Sequence, residues 1–121
     1  MAEWPNTWQI DDDDLAYGEQ LLEEFKPFVM HLVGVEKLAR STVRRHLDNL
    51  FLLGGEVISE INTYDEDRRF SPARLLDESL SEDGGPLCKH VQKGSDQQQY
   101  DATCKKLHTF RSARSRTHKF R

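Results

Sequence analysis

The chain has 121 residues, 36% of them hydrophobic and 31% charged, which suits one small domain with a modest core and leaves no room for a second full domain. Lys and Arg number 17 against 21 Asp and Glu, and the resulting net charge of −4 marks neither a nucleic-acid binder nor an anion trap. No apolar run approaches the roughly 18 residues of a membrane span, Met1–Asp14 lacks the basic and apolar regions of a signal peptide, and two cysteines are too few for a disulfide framework, so a cytoplasmic protein with free thiols is expected.

In chain order, Trp4, Pro5, Trp8 and Ile10 show no period and read as an arm lying on the core. The aspartates Asp11 to Asp14 are N-cap candidates, placed where a helix dipole favours negative charge. From Leu15, apolar residues at 21, 22, 25, 28, 29, 32 and 33 mark one face of a helix, and Pro27 is expected to kink or split it near Phe25. A second helix is expected from Ser41, whose hydroxyl can cap the amide of Val43 or Arg44. Its stripe of Val43, Leu47, Leu50, Phe51, Gly54, Val57, Ile58 and Ile61, widened by Leu52 and Leu53, predicts the central helix of a bundle. Gly54 and Gly55 inside it call for close packing or a bend, because glycine costs a helix interior about 1 kcal/mol relative to alanine.

Ser71 followed by Pro72 announces a shorter helix carrying Leu75, Leu76 and Leu80, closed by Asp83, Gly84, Gly85 and Pro86. Ser95 and Gln98 match a capping box opening a last helix with Tyr100, Thr103, Cys104, Leu107 and Phe110 on its stripe. No segment alternates with period two. An all-α fold of four to five helices is expected, with an N-terminal arm at 1–12, a helical domain at 13–110 and a mobile basic tail at 111–121.

The charge is unevenly laid out. Residues 1–24 hold eight acids and no Lys or Arg, while residues 87–121 hold nine bases and two acids, so the two ends can attract each other or address different partners. The sharpest local signal is the segment RSTVRRHL at 40–47, where Arg40, Arg44 and Arg45 surround a helix N-terminus. Cations there oppose the helix dipole by roughly 0.3 to 1 kcal/mol each, whereas a phosphate would be welcomed by both the dipole and the arginines. Alternatively, Arg44 pairs with Asp48 and Arg40 with Glu36, giving a solvated face of mixed charge.

Residues 25–61, FKPFVMHLVGVEKLARSTVRRHLDNLFLLGGEVISEI, resemble the SAM-like helical core-binding domain that precedes the catalytic domain of phage-type tyrosine recombinases. In that pattern an apolar helix is followed by a turn and then by Ser-Thr at the start of a basic helix. Ser41, Thr42, Arg44 and Arg45 fall on the motif positions. The resemblance implies contact with the DNA backbone, and the chain length leads us to expect the helical unit without the catalytic domain. The later segments GGPLCKHVQ and QQQYDATCKKLHTF are similar to small bacterial proteins that carry the unit alone. A helix-turn-helix competes for GVEKLARSTVRRHL, but the gap from Gly34 to Ser41 exceeds a tight turn.

Catalysis finds little support. The phosphate-cradling glycine loop and the G-x-S-x-G and H-E-x-x-H motifs are absent, and His31, His46, His90, His108 and His118 are scattered, so no enzyme activity is expected. Cys88, His90, Cys104 and His108 could form a tetrahedral zinc set only at unusual spacing. Cys104 runs in phase with Tyr100 and Leu107, which predicts a core thiol and no metal or other cofactor. The aspartate run fails as a calcium loop, since Leu15 and Tyr17 occupy oxygen-ligand positions.

A non-catalytic module is expected, binding DNA or RNA through Arg40, Ser41, Thr42, Arg44 and Arg45 together with Arg111, Arg114 and Arg116 of the tail, where Phe120 could stack on a base. The alternative is a protein-interaction or self-association module using the acidic arm with Trp4 and Trp8, although tryptophan's usual burial favours their sealing the core. No membrane and no small-molecule substrate are implied.

Overall fold

A computed structural model describes residues 1–86 and 94–119, without the side chains of Ser95 and residues 115–119. The expectations for Cys88, His90, Phe120 and the side chains of Ser95, Arg116 and His118 lie outside the described residues. The fold is all-α: α1 (Trp4–Trp8), α2 (Asp14–Gly34), α3 (Arg40–Thr63), α4 (Pro72–Ser79) and α5 (Gly94–Lys119), with a 3-10 turn at Asp65–Arg69 after α3. Among the described residues extended pairing is confined to one isolated bridge, Ser81 with Gly84.

α3 is the central helix, as its broad apolar stripe requires. Leu50, Leu53, Val57, Ile58 and Ile61 are buried against Leu21, Phe25, Phe28 and Leu32 of α2, Leu75 and Leu76 of α4, and Tyr100, Cys104 and Leu107 of α5. Cys104 is a core thiol, fully buried. Ser71 caps α4 by accepting from the Arg74 amide at 3.2 Å, with Pro72 in the first turn.

Three local expectations are corrected. The arm is a regular element: Trp4–Trp8 form a short helix whose Trp8 ring lies so close to Gly54 that a Cβ there would overlap it, and whose indole N–H donates to the Phe51 carbonyl at 2.9 Å. Gly54 therefore serves close packing. α2 runs unbroken through Pro27, because the carbonyl that proline leaves without its helical donor belongs to Glu23, an exposed residue that water reaches. α5 does not stop at 110 but carries the supposed tail on as helix to Lys119.

That continuation has an anchor. Arg111 is largely buried and held from two sides, its guanidinium donating to Asp77 of α4 and lying 3.6 Å from the Glu24 carboxylate of α2. Phe110 packs on Phe28 and His31 at ring distances of 5.6 and 5.0 Å.

Candidate nucleic-acid interface

The corner between α2 and α3 gathers most of the residues singled out in the sequence. α3 begins at Arg40, one residue before the expected start. Its N-cap is Ala39, so Ser41 does not cap and no side chain satisfies the first amides of the helix. Arg40, Ser41, Arg44 and Arg45 are exposed and Thr42 is half-buried.

Among the described residues, Arg40, Arg44 and Arg45 take part in no ion pair and no side-chain hydrogen bond, and Asp48 accepts from none of them. The Arg44–Asp48 and Arg40–Glu36 pairs of the mixed-charge alternative are thus not formed, although the face is solvated as that alternative has it. Glu36, the supposed partner of Arg40, is occupied by Lys106 of α5 at 2.6 Å and by His31 at 3.4 Å. Elsewhere, Lys26, Arg68, Arg74, Lys106 and Arg111 are all ion-paired.

Beside the arginines lies a cleft of about 920 Å³ lined by Val33, Leu38, Val43 and Leu47 with Arg40, Ser41 and Arg44 on its rim. Among the described residues no acidic side chain lines it. Met30, Val33 and Val35, at the end of α2, are 71%, 55% and 70% exposed. The connecting turn places Lys37 in the left-handed region, φ 51°.

Behind this corner, α3 and α5 are joined by a polar link. His46 Nδ1 lies 2.8 Å from Thr103 Oγ1, which also accepts from Asn49 Nδ2 at 2.9 Å, while Asn49 donates to the Gln99 carbonyl at 3.2 Å. Burial, aided by the Lys106 and Arg45 charges and opposed by Glu36, pushes the His46 pKa down. His46 is thus a packed side chain rather than a free base.

The tail does not join this surface through Arg111, whose partner Glu24 lies ten residues before the end of α2, about 15 Å along the helix axis. Arg111 is withdrawn from the expected interface by its own ion pairs. Arg114 is exposed and stands over the Phe110 ring at 5.5 Å.

The opposite end of α3 holds a network that sequence reasoning missed. Asp14 is fully buried and its Oδ2 accepts from the amides of Ile10 at 2.9 Å and Asp11 at 2.8 Å and from Asn62 at 2.9 Å, while Arg68 approaches Oδ1 at 2.8 Å. Burial pulls this carboxyl up, but the bonds from Asp11, Asn62, Ile10 and Arg68 outweigh it and hold the pKa below the usual range. So Asp14 reaches back to the preceding turn, and Asp13 at the N-cap makes no side-chain cap.

At this end too, Glu56, Glu60, Asp67 and Glu78 line a cleft of about 560 Å³. Burial, then the charges of Asp67 and Glu78, push the Glu60 carboxyl up. Among the described residues no group of three or more His, Cys, Asp or Glu is placed to hold a metal ion, and no helix is long and apolar enough to cross a membrane. No family model, no curated protein and no solved structure matches the chain.

Proposed function

We propose that the chain is a non-catalytic helical module that binds the phosphate backbone of DNA or RNA through Arg40, Arg44 and Arg45. The observation that carries this is the gathering of three guanidinium groups, none of them ion-paired among the described residues, at the uncapped start of α3, whereas Lys26, Arg68, Arg74, Lys106 and Arg111 are paired and Lys37, Arg69, Lys105 and Arg114 are not. Helix amides and arginines together favour an anion at that spot. Serving the fold does not explain them, since each opposes the dipole of its own helix. The module would act as an accessory in the bacterial cytoplasm, related to the SAM-like core-binding unit of the recombinases. Arg114 and Arg116 could extend the contact along α5.

The test is an anisotropy titration of a labelled duplex and a labelled single strand between 50 and 200 mM salt. Three neutralised phosphates give a salt slope near −2.7 on duplex DNA, a loss of roughly 40-fold over that range. The variant Arg44→Gln with Arg45→Gln should lower the slope by about two and remove most of the affinity. Absence of binding at 50 mM salt, or unchanged binding by the double variant, overturns the proposal.

A further inference from the structure

The acidic head and the arginine corner cannot meet within one molecule. Asp14 ties the backbone of Ile10 and Asp11 to Asn62, in the last turn of α3, while Arg40 opens the same helix. Twenty-two residues of helix separate Asn62 from Arg40, about 33 Å along the axis.

What the anchored segment presents is well defined. Ile10 is 68% exposed, Asp11, Asp12 and Asp13 follow it as exposed residues, and among the described residues their carboxylates form no ion pair. Because Asp14 turns inward, the bonds that it accepts hold this loop in place with the other three acids facing water.

The far end of α3 offers the complement of that surface, an aliphatic cleft of Val33, Leu38, Val43 and Leu47 beside Arg40 and Arg44. We propose that the segment Ile10–Asp13 of one copy docks in the α2–α3 cleft of a second copy. Ile10 enters the aliphatic cleft, and the aspartates lie against Arg40, Arg44 and the free amides that open α3. Nucleic acid alone leaves the aliphatic lining and exposed Met30 and Val35 unused, because a phosphate gains nothing from them.

The contact joins unlike surfaces, so it is a heterologous one. It is also small and built on exposed charges, hence weak and sensitive to salt. It goes beyond the nucleic-acid proposal and does not depend on it, although both would occupy Arg40 and Arg44.

Sedimentation velocity on the full chain, from micromolar to millimolar at 20 and 500 mM salt, tests the contact. The average mass should climb above the 14.1 kDa of one copy at low salt, with affinity at least tenfold lower at 500 mM. Asp11→Asn, Asp12→Asn and Asp13→Asn combined should give a monomer, and so should Arg40→Gln with Arg44→Gln. An equimolar mixture of these two variants should restore a one-to-one pair, since one keeps the cleft and the other keeps the segment. Ile10→Ser should weaken association several-fold.

All of these positions are exposed, and circular dichroism of each variant should match that of the wild type. A wild-type chain that stays monomeric at millimolar concentration and 20 mM salt overturns the proposal. So does self-association of either charge variant alone, or a mixture of the two that fails to pair. The nucleic-acid titration is repeated with the triple Asp→Asn variant, which keeps the arginines but loses the docking segment, so either proposal can fail without the other.

Discussion

The two ends of α3 use charge in opposite ways. At the C-terminal end the charges around Asp14 are paired: Arg68 meets Asp14, Asn62 and Asp65, and Asn62 meets Asp14 and the Ile58 carbonyl. At the N-terminal end Arg40, Arg44 and Arg45 have no such partners and stand in water. A charge that stabilises the fold is paired and shielded, and Arg40, Arg44 and Arg45 are neither, which is the contrast on which the proposed phosphate contact rests.

Breaking the matched end should cost the most. Asp14→Ala takes the buried carboxylate away from Arg68, Asn62 and the amides of Ile10 and Asp11, and a loss of about 3 kcal/mol in urea-unfolding free energy is expected, in line with removing one partner of a buried pair. Next comes the packing between α1 and α3. Gly54→Ala forces a methyl into the Trp8 ring and should cost about 2 kcal/mol by overpacking, while Gly55→Ala, whose nearest Trp8 atom would be 3.6 Å away, should be neutral or stabilising.

Acid should also act on the α3–α5 link. The folded pKa of His46 lies below its unfolded value near 6.5, so the unfolded chain binds the proton more readily. The contribution is fully present above the unfolded pKa and is lost as pH falls through the folded one. Stability should therefore decline on acidification below about pH 6.5, and His46→Gln should flatten that part of the profile. At the open end the smallest effect on stability is expected. Arg44→Gln with Arg45→Gln should leave the unfolding free energy within about 0.5 kcal/mol of wild type while removing most of the nucleic-acid affinity. A large destabilisation by this variant would dissolve the contrast between the ends.

Much of the fold was legible because it rests on local chemistry. The Ser71-Pro72 start of α4, the broad stripe of α3, the packing role of Gly54 and the burial of Cys104 each follow from period or from a short motif. Features set by distant partners were not. Four successive aspartates look alike in sequence, and only the approach of Asn62, 48 residues away, together with Arg68 distinguishes Asp14. The extension of α5 past Phe110 likewise depends on Asp77 and Glu24, which are 34 and 87 residues from Arg111. The arginine corner was visible as a cluster, but its want of partners became clear only once Glu36 was seen bound to Lys106.

The placement of both tryptophans in a five-residue helix has a practical consequence. Trp8 sits against Gly54 and Phe51, and Trp4 against Trp8 and Phe51, so all indole emission from the chain arises where α1 meets α3. Fluorescence thus reports the docking of α1, whereas far-ultraviolet dichroism is dominated by α2, α3 and α5. Non-coincident melting curves from the two signals would reveal a chain end that peels away before the bundle gives way.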